Sequence, residues 1–221
     1  MCLNSFVRRR KGNGMKRLVI IGASAFGREV CSYAEACGLR VKGFLDTRTE
    51  ILEGFSGYPP LLAAPEAYRV SDDDVFVSAM GDPGKKLEYA EMLGRRGARF
   101  AMLVHPTAYV GRNVTLGEGC VICPRATLTN DIALARHVTV NVSAGVNHDN
   151  VVEEGVTICP GAQLAGRVRL GRRAFVGIGA VVMPDVTLGE DVVVAAGAVV
   201  TRSFAHGVLV GVPARPRSGL T

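Results

Sequence analysis

Of the four histidines in this chain, His148 keeps the most suggestive company. The run Val146-Asn-His-Asp-Asn-Val151 sets it beside Asp149 and close to Asn150. An imidazole titrates near neutral pH, so it can take a proton from an amine or hydroxyl that is becoming a nucleophile. An adjacent carboxylate orients the ring and favours the imidazolium that forms. His105, in the entry turn Val104-His-Pro-Thr-Ala108, His137, at an outward corner, and His206, after the last unit, read as surface residues. A second candidate is Gly22-Ala-Ser-Ala-Phe-Gly27, a turn whose exposed N–H groups at a helix start would attract phosphate from any nucleotide. It matches G-x-G-x-x-G only in part, because Ser24 replaces the middle glycine, and a tight turn without ligand would read the same way. Cys120-Val-Ile-Cys123 has no second pair to complete a zinc site, and the six cysteines are scattered, so reduced thiols and no metal are expected.

These residues need elements to hold them. From Val104 to Val200 an aliphatic residue returns every six positions, seventeen times without a slip. Four residues after each comes a second, usually smaller residue, from Ala108 to Phe204, and in that series only Asn150 is strongly polar. A period of six suits neither an α-helix nor a hairpin meander, but it suits a solenoid of short strands joined by tight corners. Both positions would point inward, with Gly, Asn, Asp and Pro gathered at the corners. So narrow an interior admits Val, Leu and Ala, which accounts for the absence of tryptophan and the 6% aromatic content. A polar inward residue beside a His-Asp pair points to a specified site, with a solvated turn as the alternative.

Before the repeat, residues 17–21 (Arg-Leu-Val-Ile-Ile) read as a buried parallel strand. The glycine turn follows, and then a helical stretch to about Cys37 that ends at Gly38. Val41-Lys-Gly-Phe-Leu-Asp46 reads as a second strand ending in an acid, Val75-Phe-Val-Ser-Ala-Met-Gly81 as a third, and residues 84–97 as a helix. This alternation predicts a small Rossmann-like parallel sheet of the nucleotide-binding kind, so the fold class is α/β followed by all-β. The expected organisation is a basic extension over 1–14, an α/β domain over 15–103, a β-helix over 104–205 and a tail over 206–221.

The formal charge of +6 invites a nucleic-acid reading, but residues 15–103 carry 12 bases and 12 acids and residues 104–205 carry 8 of each. The excess lies in the two ends, so no nucleic-acid partner is expected. Met15 opens a natural first strand, so residues 1–14 are expected to be a disordered extension, with Met1 and Met15 as alternative starts. No apolar run approaches the roughly 18–20 residues of a membrane helix, and no signal peptide follows the basic stretch. The expected setting is cytoplasmic.

Units such as Leu116-Gly-Glu-Gly-Cys-Val121 and Leu188-Gly-Glu-Asp-Val-Val193 resemble the hexapeptide repeat of left-handed β-helix acyltransferases. Together with the Gly22-Ala-Ser turn, Met80-Gly81-Asp82, Val104-His-Pro-Thr-Ala108 and Gly211-Val-Pro-Ala-Arg215, they make residues from about 16 to 215 resemble one family. It is the sialic acid O-acetyltransferase and nucleotide-amino-sugar N-acetyltransferase family. The resemblance implies a left-handed parallel β-helix with three units per coil, so the seventeen units make between five and six coils. It also implies a homotrimer with acetyl-CoA between neighbouring subunits, and a nucleotide-linked amino sugar held at Ser24, Ala25, Phe26, Asp46, Thr47 and Gly81. His148 matches the general base and Asp149 the acid that orients it. Gly166, eighteen residues after His148, would offer its N–H to the thioester carbonyl and then to the oxyanion. Thr157, Ile178 and Ala196 match further cofactor-contacting positions, and Gly211-Val-Pro-Ala resembles the element near the adenine. The chain departs from the pattern at Ala25-Phe26, where relatives often carry Gly-His, and at Thr157, where they often carry histidine.

The expected activity is acetyl-CoA-dependent N-acetylation of a nucleotide-linked amino sugar for bacterial glycan assembly, by direct attack without an acyl-enzyme. O-acetylation of a sialic-acid-like sugar is the alternative within the family. A non-catalytic nucleotide-sugar-binding β-solenoid is the alternative outside it, and the polar cluster at 147–150 argues against that. A γ-class carbonic anhydrase needs three histidines around zinc, and His105, His137 and His148 do not share a coil register. An NAD-dependent dehydrogenase would leave the second half of the chain without a role.

Overall fold

The computed structural model describes residues 17–217. The extension expected over 1–14 lies outside them. The chain forms two compact units that divide between Pro106 and Thr107.

In the first unit, β1 (Arg17–Ile21), β2 (Val41–Leu45), β3 (Leu61–Ala63) and β4 (Asp74–Ser78) form a parallel sheet in the order β3-β2-β1-β4. Leu18, Val19, Ile20 and Ile21 are at most 1% exposed, as a continuous apolar run requires in a strand covered on both faces. The helix α1 (Ala25–Ala36) follows β1, and α2 (Pro83–Arg95) follows β4. The start of α2 is set by Pro83 in its first turn and by the Asp82 side chain, which accepts from the Lys85 N–H at 2.8 Å. The chain runs outward from β1 to β2 and β3, then returns to the other side of β1 for β4. The carboxyl ends of β1 and β4 therefore flank a topological switch point, where open α/β sheets bind ligands. The sequence pattern did not announce β3, because three residues directly after Pro59-Pro60 show no alternation.

Near the start of β4 the Lys42 ammonium lies 2.8 Å from an Asp74 carboxylate oxygen and donates to the Tyr68 hydroxyl at 2.7 Å, while Tyr68 donates to Asp74 at 2.7 Å. Burial alone would push the Asp74 carboxyl up, but the bonds from Lys42 and Tyr68 outweigh it and hold the group below its ordinary value. A depressed carboxylate adds stability above the ordinary carboxylate range and loses it as pH falls through the folded-state pKa. Lys42→Met would strand a carboxylate whose side chain is 0% exposed. The expected cost is about 3 kcal/mol, the lower end of what breaking a buried pair costs, because Lys42 keeps some solvent contact. Denaturant midpoints should show a wide gap from the parent at neutral pH that narrows on acidification. A gap independent of pH would contradict this account.

In the second unit, two-residue strands recur every six residues from Tyr109–Val110 to Val199–Val200. Each pairs in parallel with strands eighteen residues away: Gly145 lies between Thr127 and Gln163, Thr139 between Val121 and Thr157, and Val151 between Ala133 and Arg169. Three sheets wall the coil, and the two inward series fill it; Val146, Leu164 and Val182 from one, and Ala144, Ala162 and Ala180 from the other, are 0% exposed.

Every sixth residue from Asn113 to Gly197 has φ between 55° and 74°, and only five of these fifteen corner residues are glycine. Five others are Asn or Asp, and the rest are Arg125, His137, Ser143, Arg167 and Arg173. The left-handed strain is accepted because the corner N–H donates to the coil before it, as Asp149 does to the Asn130 carbonyl and Arg167 to that of His148. The tail expected from 206 is partly structured: Val208–Val210 pairs with Val193 and Val194, and Arg215–Pro216 returns antiparallel to it.

Candidate active site

His148 lies at the corner between the strands Gly145–Val146 and Val151–Val152. The left-handed turn at Asp149, φ 61°, ends the strand and carries both side chains outward, leaving them 54% and 52% exposed. His148 Nδ1 is 2.7 Å from Asp149 Oδ2. A carboxylate only accepts, so Nδ1 carries the hydrogen, and in the neutral ring Nε2 is the nitrogen with a lone pair. Gly166 occupies the same corner one coil on. A Cβ there would lie 2.4 Å from Cε1 and 2.6 Å from Nε2 of His148, so the imidazole rests directly on the bare Gly166 backbone. The flanking N–H groups of Ala165 and Arg167 donate to the Val182 and His148 carbonyls. Among the described residues the Gly166 N–H makes no such bond.

The other histidines differ. His137 is not a surface residue: it is 5% exposed because its ring packs over Gly119, where a Cβ would meet Nδ1 at 2.3 Å. His105 is half-buried, edge-on to Tyr33 with ring centroids 5.7 Å apart. His206 is exposed.

The residues matched to the cofactor do not all gather at this corner. Ile178 and Ala196 are exposed and stand one coil apart at the corner between the Phe175–Val176 and Val181–Val182 strands. Thr157 is a strand residue of another face and is 2% exposed. Within one chain, only Gly166 of that set joins His148.

The substrate-matched residues of the first unit share the carboxyl edge of its sheet. Gly22 takes φ 99°, and a Cβ on it would lie 2.9 Å from the Ala79 carbonyl oxygen; a Cβ on Gly27 would lie 2.1 Å from that of Gly22. The two glycines thus let the turn, α1 and the end of β4 close on one another. Ser24 is the N-cap residue of α1, extended, and its side chain makes no capping bond. Thr47 and Gly81 are exposed at the ends of β2 and β4.

Asp46, 8% exposed, is committed inward. It accepts from the Ala23 N–H at 3.0 Å and takes two bonds from the Arg48 guanidinium, each 3.0 Å. Burial would raise its pKa, but the bonds from Arg48 and Ala23 prevail and lower it. The carboxylate therefore shapes the turn. Sequence reasoning missed Arg48, whose signal was a base two residues past a strand-end acid. It also missed the Arg28 guanidinium, stacked 3.6 Å over the ring of half-exposed Phe55.

Residues 17–93 match the PglD N-terminal domain, and residues 167–202 match the bacterial transferase hexapeptide repeats. UDP-N-acetylbacillosamine N-acetyltransferase of Bacillus subtilis (strain 168) is 33% identical over 113 residues, which are 49% of this chain and 51% of that protein. The match thus spans about half the length of that curated relative. The acetyltransferase domain of PglB from Neisseria gonorrhoeae FA1090, solved in complex with acetyl coenzyme A, superposes with a TM-score of 0.84 at 29% identity. That likeness covers 91% of this chain and 99% of the other. PerB from Caulobacter crescentus, in complex with CoA and GDP-perosamine, gives a TM-score of 0.85 at 28% identity over 93% and 99%. The solenoid is therefore a left-handed parallel β-helix of the hexapeptide acyltransferase class, preceded by a Rossmann-like sheet domain. Both units are thus similar to known acetyltransferases, the first to the PglD N-terminal domain and the second to the bacterial transferase hexapeptide repeats.

Proposed function

We propose that the protein is an acetyl-CoA-dependent N-acetyltransferase acting on the amino group of a nucleotide-linked amino sugar. The observation that carries this reading is the His148 imidazole, held by Asp149 through Nδ1, with Nε2 free beside the bare Gly166 backbone. The complexes of the relatives with acetyl-CoA, or with CoA and GDP-perosamine, support the same substrate pair.

The acceptor amine attacks the thioester carbonyl carbon as its proton passes to His148 Nε2. The Gly166 N–H donates to the carbonyl oxygen and holds the negative charge that develops there. When the tetrahedral adduct collapses, the C–S bond breaks, the amide forms, and the imidazolium returns its proton to the departing thiolate. Asp149 keeps the ring in the productive tautomer throughout.

Ser24, Ala25, Phe26, Thr47 and Gly81 surround the nucleotide phosphates in this scheme, and Asp46 and Arg48 hold the turn in shape. Ile178 and Ala196 contact acetyl-CoA from a neighbouring copy in a homotrimer, since one chain sets them at a different corner from His148. No helix among the described residues is long and apolar enough to cross a membrane, and a cytoplasmic setting is part of the proposal.

The test is thiol release from acetyl-CoA with UDP-, GDP- and TDP-linked amino sugars and with free sialic acids as acceptors. Saturable release with one amino sugar nucleotide, and N-acetylated product by mass, is the expected result. Release with sialic acids alone would shift the assignment to O-acetylation. Acceptor binding with no release would favour a binding module.

A further inference from the structure

We infer that Asn150 is a positioning residue for this reaction, holding the His148 corner and the Gly166 corner in register; the inference rests on the reading of His148 as general base. Asn150 is 0% exposed. Its Nδ2 donates to the carbonyl oxygen of Asn147 at 2.5 Å and to that of Ala165 at 2.9 Å. Those carbonyls belong to the residues immediately before His148 and Gly166, so one side-chain amide ties the peptide leading into the base to the peptide leading into the oxyanion donor. A second tie runs between the same corners, from Asn147 Nδ2 to the Leu164 carbonyl at 2.7 Å. The orientation of the Asn150 amide follows from its surroundings, because turning it over would set Oδ1 against two carbonyl oxygens.

The residue is a poor choice for stability. Its Oδ1 is buried and has no hydrogen-bond partner among the described residues, which leaves a desolvation penalty uncompensated. The same inward series holds Ala144, Val156, Ala162 and Val168, all 0% exposed. An aliphatic side chain would therefore suit the coil and avoid the orphan acceptor. Cys120, in that series too, places its thiol 3.1 Å from the Ala135 carbonyl, fifteen residues on, as Asn150 does with Ala165. A thiol has one hydrogen to give, whereas a primary amide has two, and here they serve the two peptides that carry the chemistry.

The experiment compares Asn150→Val with the parent for melting temperature, kcat and the KM of both substrates, using the acceptor found in the thiol-release panel. The expected result is an unchanged or higher melting temperature, KM values within about threefold, and kcat lower by about 10–100-fold, as a misplacement near 1 Å would produce. A purely structural asparagine would give the reverse, a lower melting temperature with kcat kept. The inference is overturned if kcat stays within about twofold of the parent, or falls only in proportion to the unfolded fraction. If Asn150→Val does not fold, Asn150→Ala takes its place, since alanine recurs in the series. His148→Ala separates the two readings. Full turnover in that variant would sink the general-base assignment and this inference with it, while an inactive His148→Ala beside a fully active Asn150→Val would sink this inference alone.

Discussion

His148→Ala is expected to fold like the parent and to lose about 10²–10⁴-fold in kcat, the usual contribution of a positioned general base. The side chain is 54% exposed, so little packing is lost with it. The corner is held by backbone bonds that the ring does not make, Asp149 N–H to the Asn130 carbonyl and Arg167 N–H to the His148 carbonyl. Melting temperature should therefore barely move. The KM for acetyl-CoA should also hold, because removing a group that acts in the transition state lowers kcat and kcat/KM together. Partial recovery on adding imidazole would be the sharper sign, since it restores a base without restoring a contact. Turnover at the parent rate would mean that the acceptor loses its proton elsewhere.

The solenoid was legible because a two-residue strand has only one way to hide its apolar side chains. The period of six and the paired inward positions followed directly, and with three units per coil Gly166 fell over His148. The period gives a direction, however, and says nothing of cover. Val121, Thr139 and Thr157 stand between inward residues and so point out of the coil, yet they are 1–2% exposed, a burial that neither the period nor the resemblance at Thr157 announces. His137 shows the same blindness: nothing in its own hexad reports that Gly119 leaves room for its ring.

The glycine content proved to have two causes. Some glycines hold left-handed corners, but corners also accept Arg and Ser when the coil beside them supplies the hydrogen bond. Others, such as Gly117, are needed because a Cβ would meet backbone of the next coil at 2.5 Å. In the first unit the alternation of strand and helix was readable, while the commitment of Asp46 to Arg48 and Ala23 depends on a turn that sequence does not describe.

Gly166→Ala should cost about 10²–10³-fold in kcat, within the range for losing an oxyanion donor or moving a base by about 1 Å, with little change in stability. The corner row to which Gly166 belongs, one residue per coil, reads Arg112, Asn130, His148, Gly166 and Pro184. The coil therefore tolerates side chains at this place. The φ of Gly166 lies outside the left-handed region, so alanine can adopt its backbone without strain. What alanine cannot do is share the space, because its Cβ would lie 2.4 Å from Cε1 and 2.6 Å from Nε2 of His148. An exposed imidazole yields more cheaply than a backbone, so the ring would swing away and leave both Asp149 and the position from which Nε2 takes the proton. A double-mutant cycle locates the effect. If it runs through the ring, Gly166→Ala costs far less in a His148→Ala background than in the parent. An equal cost in both backgrounds would assign the loss to the added methyl crowding the N–H and the acyl group it serves, and no cost in either would remove Gly166 from the site.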